Sequence, residues 1–395
     1  MLARIRQSYE HTIYASYLGY ITQAIINNFA PLLFLTFASD FTLTLDQITL
    51  ITTVNFLVQL AVDLVSVKVV DRIGYRPCIV AAHVACAGGL IGLAVLPYVM
   101  DAYAGIMTAV VLYAIGGGLL EVLVSPIVEA CPTKKKEAAM SLLHSFYCWG
   151  HVFLVMVSTA FFAAFGVSSW RVLACLWALV PIINIAYFSL VPIYPIVAGE
   201  EKQLSLTGLF KQKVFWLLMV LMVCAGASEQ AMSQWASAFA ESGLKVSKTM
   251  GDLAGPCAFA ILMGTARALY GKFSEKMPLK KFMMASAALC IVCYLIAAFS
   301  GSPLFALLGC ALCGFSVGIF WPGTFSMGAL ALPTGGTAMY ALMALAGDLG
   351  CSSGPTVVGM VANATGGSLQ NGLMVAMLFP VLILIGIAVM KQKKA

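Results

Sequence analysis

Residues 102–130 read AYAGIMTAVVLYAIGGGLLEVLVSPIVEA, and this stretch decides what kind of protein the chain is. Its first nineteen residues carry no charge, and a helix rising 1.5 Å per residue needs about 20 such residues to cross roughly 30 Å of hydrocarbon. Two acids follow, Glu121 inside the apolar run and Glu129 at its end. Eleven more segments have the same character: 12–38, 47–70, 77–99, 138–166, 169–195, 214–240, 250–272, 280–300, 303–331, 337–362 and 370–390. The composition agrees, with 61% hydrophobic residues and only 10% charged. Mean hydropathy is +0.96. A soluble domain carries about 25% charged residues, so the sequence specifies an all-α integral membrane protein of twelve transmembrane helices.

The net charge of +6 is not a nucleic-acid footprint, because lysine and arginine fall in short clusters between the apolar stretches. Placing the termini and the even-to-odd loops on one side gives that side seventeen basic residues, against Arg171, Lys245 and Lys248 on the other. The positive-inside rule then puts both termini in the cytoplasm. The expected setting is a bacterial cytoplasmic membrane. The one long polar connection, 198–213, divides the chain into six-helix halves at 1–197 and 214–395. The twelve cysteines include Cys290-x-x-Cys293 and Cys310-x-x-Cys313, a spacing that suits zinc. Both pairs lie inside apolar helices, where thiolates are costly, so small core residues are the expected role and no metal or cofactor is implied.

The halves repeat faintly. Asp71-Arg72-Ile-Gly74-Tyr-Arg76 follows the second helix, and Gly271-Lys-Phe-Ser-Glu275-Lys276 follows the eighth, with acids 204 positions apart. Pro126 and Pro322, in the fourth and tenth helices, are 196 apart. Parallel repeats of this kind point to two similar halves.

Twelve helices, a charged central loop and the Asp-Arg-x-Gly-x-Arg turn resemble the major facilitator superfamily. Val67 stands where that turn usually has a glycine, which Gly271 supplies in the second copy. A narrower likeness is to the fucose permease group of proton-coupled sugar importers, carried by Gly116-Gly-Gly-Leu-Leu-Glu121, Ser125-Pro126 and Asn27-Asn28. The resemblance implies a secondary transporter with a central site between the halves, and it places that group's functional glutamate on Glu121. It also puts His144 where the group has a glutamine. The group carries an aspartate a few residues after Asn-Asn, whereas Asn28-Phe-Ala-Pro31 has no acid here. A proton therefore falls to Glu121, to Asp348, or to neither.

The residues support this reading on their own. Ionisable side chains in hydrocarbon are expensive and face a cavity or a partner. Counting from the cytoplasmic helix ends puts Glu121 about ten residues deep, Asp348 about eleven and Glu229 about fifteen. Asp63 lies eight residues before Asp71. The sequence places no lysine or arginine at their depth, since Arg267 is only about five residues inside its helix. Glu121 is the expected proton carrier, with Asp348 as a second. A permanently protonated, hydrogen-bonded acid is the structural alternative. Candidate solute contacts are Gln23, Asn27, Asn28, Glu121, His144, Tyr147, Glu229, Gln230, Gln234 and Trp321, because amides and hydroxyls match the hydroxyls of a sugar. Trp235 is as plausible a packing residue as a binding one. Asn55, Gln59 and Asp63 share a face that suits either gating or interhelical packing. His144 and His151 are seven apart, about 10 Å, too far to hold one metal. Asp71, Arg72, Arg76 and Glu129 form the expected cytoplasmic gate, with Glu129 paired to Arg72 or Arg76.

The expected function is uptake of a small polar solute, a sugar, with a proton, by a monomer. Within the class, an exporter of amphipathic solutes or an uncoupled uniporter remains open. An enzyme is not expected, since no nucleophile, base and metal set converges. A sensor would carry a soluble output domain, and no loop exceeds about sixteen residues.

Overall fold

The computed structural model describes residues 2–133, 136–194, 206–273, 278–332 and 334–390, without the side chains at 2–4, 67–69, 71, 136–141, 206, 271–273 and 336–338. Among the described residues the structure is helical and has no strand. Two compact units form, Met1–Gly199 and Glu200–Ala395.

The first unit holds α1 (Tyr9–Asp40), α2 (Leu45–Ile73), α3 (Tyr75–Tyr98), α4 (Ala102–Glu129), α5 (Lys136–Phe165) and α6 (Val167–Leu190). The second holds α7 (Lys213–Gly243), α8 (Lys248–Tyr270), α9 (Leu279–Phe299), α10 (Pro303–Ala331), α11 (Gly336–Ala364) and α12 (Leu369–Val389). Eleven of these are long and apolar enough to cross a membrane on length and composition. The other, α11, spans 29 residues, but Asp348, Ser352, Ser353 and Pro355 lower its hydropathy. Residues 195–205, which include the first half of the central segment, and Lys134–Lys135 lie outside the described residues. So does most of the second copy of the turn, 271–277, where no side chain is described.

Local sequence explains the helix ends. α2 opens with a capping box: Thr44 Oγ1 accepts from the Gln47 amide at 3.3 Å, and Gln47 Oε1 accepts from the Thr44 amide at 2.9 Å. It ends at Gly74, whose φ of +92° only glycine adopts without strain. α1 narrows to a 3-10 turn at Ala30–Leu33, since Pro31 has no N–H to give the carbonyl four residues back. Thr44→Ala should lower stability by about 1 kcal/mol through the lost cap. Thermal unfolding would show this, and an unchanged midpoint would mean the cap adds nothing measurable.

Glycines set the close helix approaches. In the first unit a Cβ on Gly116 would strike the Ala82 carbonyl of α3. One on Gly117 would lie 2.6 Å from Ile26 of α1 and 3.1 Å from Gln59 of α2, and one on Gly118 would lie 2.9 Å from the Gln59 carbonyl. The triple glycine lets α4 touch three helices at once. In the second unit Gly350 and Gly354 seat α11 against the backbone of α7, at Val223 and Ala227. Between α9 and α10, Cys290 Sγ lies 3.9 Å from Cys313 Sγ, both buried.

Candidate functional site

In the first unit the expected polar residues meet at the glycine run. Helical spacing of four aligns Gln23 with Asn27 on α1, Asn55 with Gln59 and Asp63 on α2, and Glu121 with Ser125 on α4. Gln23 Nε2 donates to Glu121 Oε2 at 3.3 Å and to Gln59 Oε1 at 3.0 Å. Asn27 Oδ1 accepts from Gln59 Nε2 at 2.8 Å and from Asn55 Nδ2 at 3.1 Å. Gln23, Asn27, Asn55 and Gln59 are all at most 5% exposed. The carboxyl oxygens of Asp63 and Glu121 come within 4.8 Å of each other. Two carboxylates so close in a weakly screened setting repel, and a proton shared between them relieves the repulsion.

The other candidates of this half lie nearby but join different partners. Asn28 Nδ2 donates to the Ala24 carbonyl at 2.9 Å and to Tyr147 Oη at 3.4 Å. His144 is exposed, and its ring lies 5.3 Å from that of Tyr20. Tyr20 Oη in turn meets Ser125 Oγ at 3.1 Å. The sequence did not single out Tyr20, although it sits three residues before Gln23 on the same helix. Tyr17, one turn earlier, stacks on Phe146 at 4.2 Å.

Within the expected gate, Arg76 has partners other than the one read from the sequence. Arg76 Nη1 and Nη2 donate to the carbonyls of Phe188 and Val191, at 2.7 and 2.8 Å, rather than to Glu129. The last carbonyls of a helix lack internal donors and form its negative end, so a nearby guanidinium is drawn there. Arg72 and Glu129 are exposed, and the Asp71 side chain lies outside the described residues.

In the second unit one expectation is overturned. Glu229 does have a cationic partner: Arg267 Nη2 lies 3.5 Å from its Oε2. Depth counting along two helices missed this because it ignored helix tilt and the reach of arginine, a side chain several ångströms long. The same guanidinium donates from Nε to the Gly318 carbonyl at 3.2 Å. That carbonyl is available because Pro322, four residues on, has no N–H to offer it. Arg267 thus ties α7, α8 and α10 together. A row of amides continues from the pair: Gln230 Nε2 donates to Glu229 Oε1 at 3.3 Å, and Gln234 Nε2 donates to Gln230 Oε1 at 3.0 Å.

Trp235 is a packing residue, buried with its Nε1 donating to the Pro355 carbonyl at 2.9 Å. Trp321 is half-buried, and its ring occupies the space that a side chain at Gly347 would need. The neighbouring Asp348 is buried. At the far end of α7, Lys248 lies 3.2 Å from both Glu241 and Asp252 and closes the hairpin into α8.

Solved structures share this fold across nearly the whole chain. A D-xylose-proton symporter matches with TM-score 0.78 at 14% identity, covering 96% of this chain and 97% of that one. A nucleoside transporter matches with TM-score 0.75 at 14% identity, covering 96% and 99%. The E. coli fucose:proton symporter matches with TM-score 0.63 at 15% identity, covering 97% and 98%. No curated protein matches the sequence significantly. The family model of the Major Facilitator Superfamily matches residues 16–355. The chain therefore belongs to the Major Facilitator Superfamily, and it is an integral membrane transporter rather than an enzyme.

Proposed function

We propose that the protein takes up a small polar solute, a sugar, together with a proton, by alternating access, with Glu121 carrying the proton. The observation that carries this is the Glu121 carboxyl, which has a second carboxyl, Asp63, within 4.8 Å and accepts a hydrogen bond from a buried glutamine. An acid placed so can change its proton state as its access changes, which a salt-bridged acid such as Glu229 does less readily. Amides on α1 and α7 suit sugar hydroxyls because each amide both donates and accepts. Trp321 offers a ring face for stacking. Asp348 is the second candidate for the proton.

The test is uptake into sealed vesicles of D-xylose, fucose and uridine, with and without an imposed proton gradient. D-xylose and fucose are named for structural neighbours, and uridine stands for the nucleosides of a third. Accumulation of a sugar that needs the gradient supports the reading. Sugar uptake that only equilibrates would identify a uniporter, and uridine uptake alone would move the substrate class to nucleosides. Gln230→Leu should weaken binding of the transported probe about tenfold or more, since a lost partner leaves a hydroxyl unpaired at about 1–3 kcal/mol. Unchanged affinity would remove Gln230 from the site.

A further inference from the structure

Five side chains from three helices of the first unit form one hydrogen-bonded chain, and its amides run in a fixed direction. Gln23 only donates in it, one N–H to Glu121 and the other to Gln59. Gln59 passes the direction on by donating to Asn27 Oδ1, which also accepts from Asn55. This orientation leaves two buried carbonyl oxygens, Gln23 Oε1 and Asn55 Oδ1, with no donor among the described residues. Gln23 is 3% exposed and Asn55 4%, so solvent does not readily replace the missing donors. A buried acceptor left so is unfavourable, and the orientation needs a cause. Glu121 provides one. A carboxylate can only accept, so the neighbouring glutamine must turn its amino group toward it.

We propose that the proton state of Glu121 sets the direction of this amide chain, and that protonation reverses it as far as Asn27 and Asn55. A proton added to Glu121 Oε2 forms one O–H bond and makes that oxygen a donor. Gln23 then turns its terminal amide by half a turn to present Oε1. Gln59, now facing an oxygen, turns as well and donates to it. Asn27 follows, donating from Nδ2 to Gln59 Oε1 and Asn55 Oδ1. No other covalent bond changes, and no backbone shift is needed because amide oxygen and nitrogen are nearly the same size. Each turned amide favours the turn of the next, since hydrogen-bonded chains polarise cooperatively. The consequence is that Asn27 changes from acceptor to donor toward Gln59 and Asn55 when Glu121 loads its proton. Gln23 and Gln59 are then positioning residues that couple the proton to α1. This rests on the proton-carrying role proposed for Glu121.

The ionisable groups facing Glu121 within its own half are few. α2 presents Asp63, within 4.8 Å. On α5, His144 lies against the ring of Tyr20, whose hydroxyl meets Ser125 one turn from Glu121 on α4. On α3, His83 is engaged elsewhere, its ring nitrogens taken by the Ile79 carbonyl at 2.7 Å and by Asn184 at 2.8 Å. Asp63 shares the proton and belongs to the same switch.

The test needs no transported solute. Protein with 15N-labelled Asn and Gln side-chain amides and 13C-labelled Glu carboxyls is placed in lipid nanodiscs and followed by NMR from pH 4.5 to 9. Signals of Gln23, Gln59, Asn27 and Asn55 should move with the midpoint of the Glu121 carboxyl. In Glu121→Gln all four should lose that transition. In Gln59→Leu, Gln23 should keep it while Asn27 and Asn55 lose it. A titrating Glu121 beside fixed Asn27 and Asn55 signals in the wild type would overturn the chain reversal and leave the proton carrier standing. A Glu121 carboxyl that does not titrate in this range would overturn both. The wild-type titration decides the matter even if a variant fails to fold.

Discussion

Glu121→Gln is expected to abolish gradient-driven accumulation while leaving exchange of solute across the vesicle membrane largely intact. Glutamine keeps the size of the side chain and an oxygen to accept from Gln23 Nε2, so the helix contacts made possible by Gly117 and Gly118 are preserved. What it cannot do is load a proton. One charge moving through 100 mV is worth about 2.3 kcal/mol, which supports roughly fifty-fold accumulation of a solute coupled to one proton. In the variant the inside-to-outside ratio should fall to about one. Counterflow, which needs only the solute site and alternation between the two sides, should continue. The measurement is accumulation and counterflow of whichever of D-xylose, fucose or uridine the wild type concentrates. A variant that still concentrates it many-fold would remove Glu121 as the coupling acid and turn attention to Asp348.

Part of this architecture can be read from the sequence because it is one-dimensional. Hydrophobic run length gives the helices, and Gly74 at the end of α2 and the Gly116–Gly118 run in α4 mark where only glycine serves. Spacing of four along α1, α2 and α4 puts Gln23, Asn27, Asn55, Gln59, Asp63 and Glu121 on shared faces, and these are the residues that meet. Pairings between helices are less legible. Position along a helix axis does not report tilt, so Arg267 reads as too shallow to reach Glu229, and Arg72 or Arg76 reads as a partner for Glu129, whereas Arg76 holds the carbonyls at the end of α6. A better signal was present for Arg267. A proline at 322 implies an unbonded carbonyl at 318, and such a carbonyl inside a membrane needs a donor from a neighbouring helix.

That donor sets the second large effect, on stability. Arg267→Met removes the charge that faces Glu229 and the N–H that satisfies Gly318. Breaking a buried pair by removing one partner costs about 3–5 kcal/mol. The side chains here are 21% and 11% exposed, so the lower end, about 3 kcal/mol, is expected. At about 2–4 °C per kcal/mol this lowers the midpoint of thermal unfolding by roughly 6–12 °C. Glu229→Gln should have a smaller effect, because the amide still accepts from Gln230 and Arg267 keeps Gly318. Adding Glu229→Gln to Arg267→Met should recover part of the loss, since the charge left stranded by the first change is removed. Two contacting sites of this kind couple by about 0.5–3 kcal/mol. Arg267→Lys separates the two jobs of the guanidinium. It keeps the charge but not the planar fork that reaches a carbonyl and a carboxylate together, so an intermediate midpoint is expected. If Arg267→Met unfolds at the wild-type temperature, or if the double variant loses the sum of the single losses, the pair does not hold α7, α8 and α10 together.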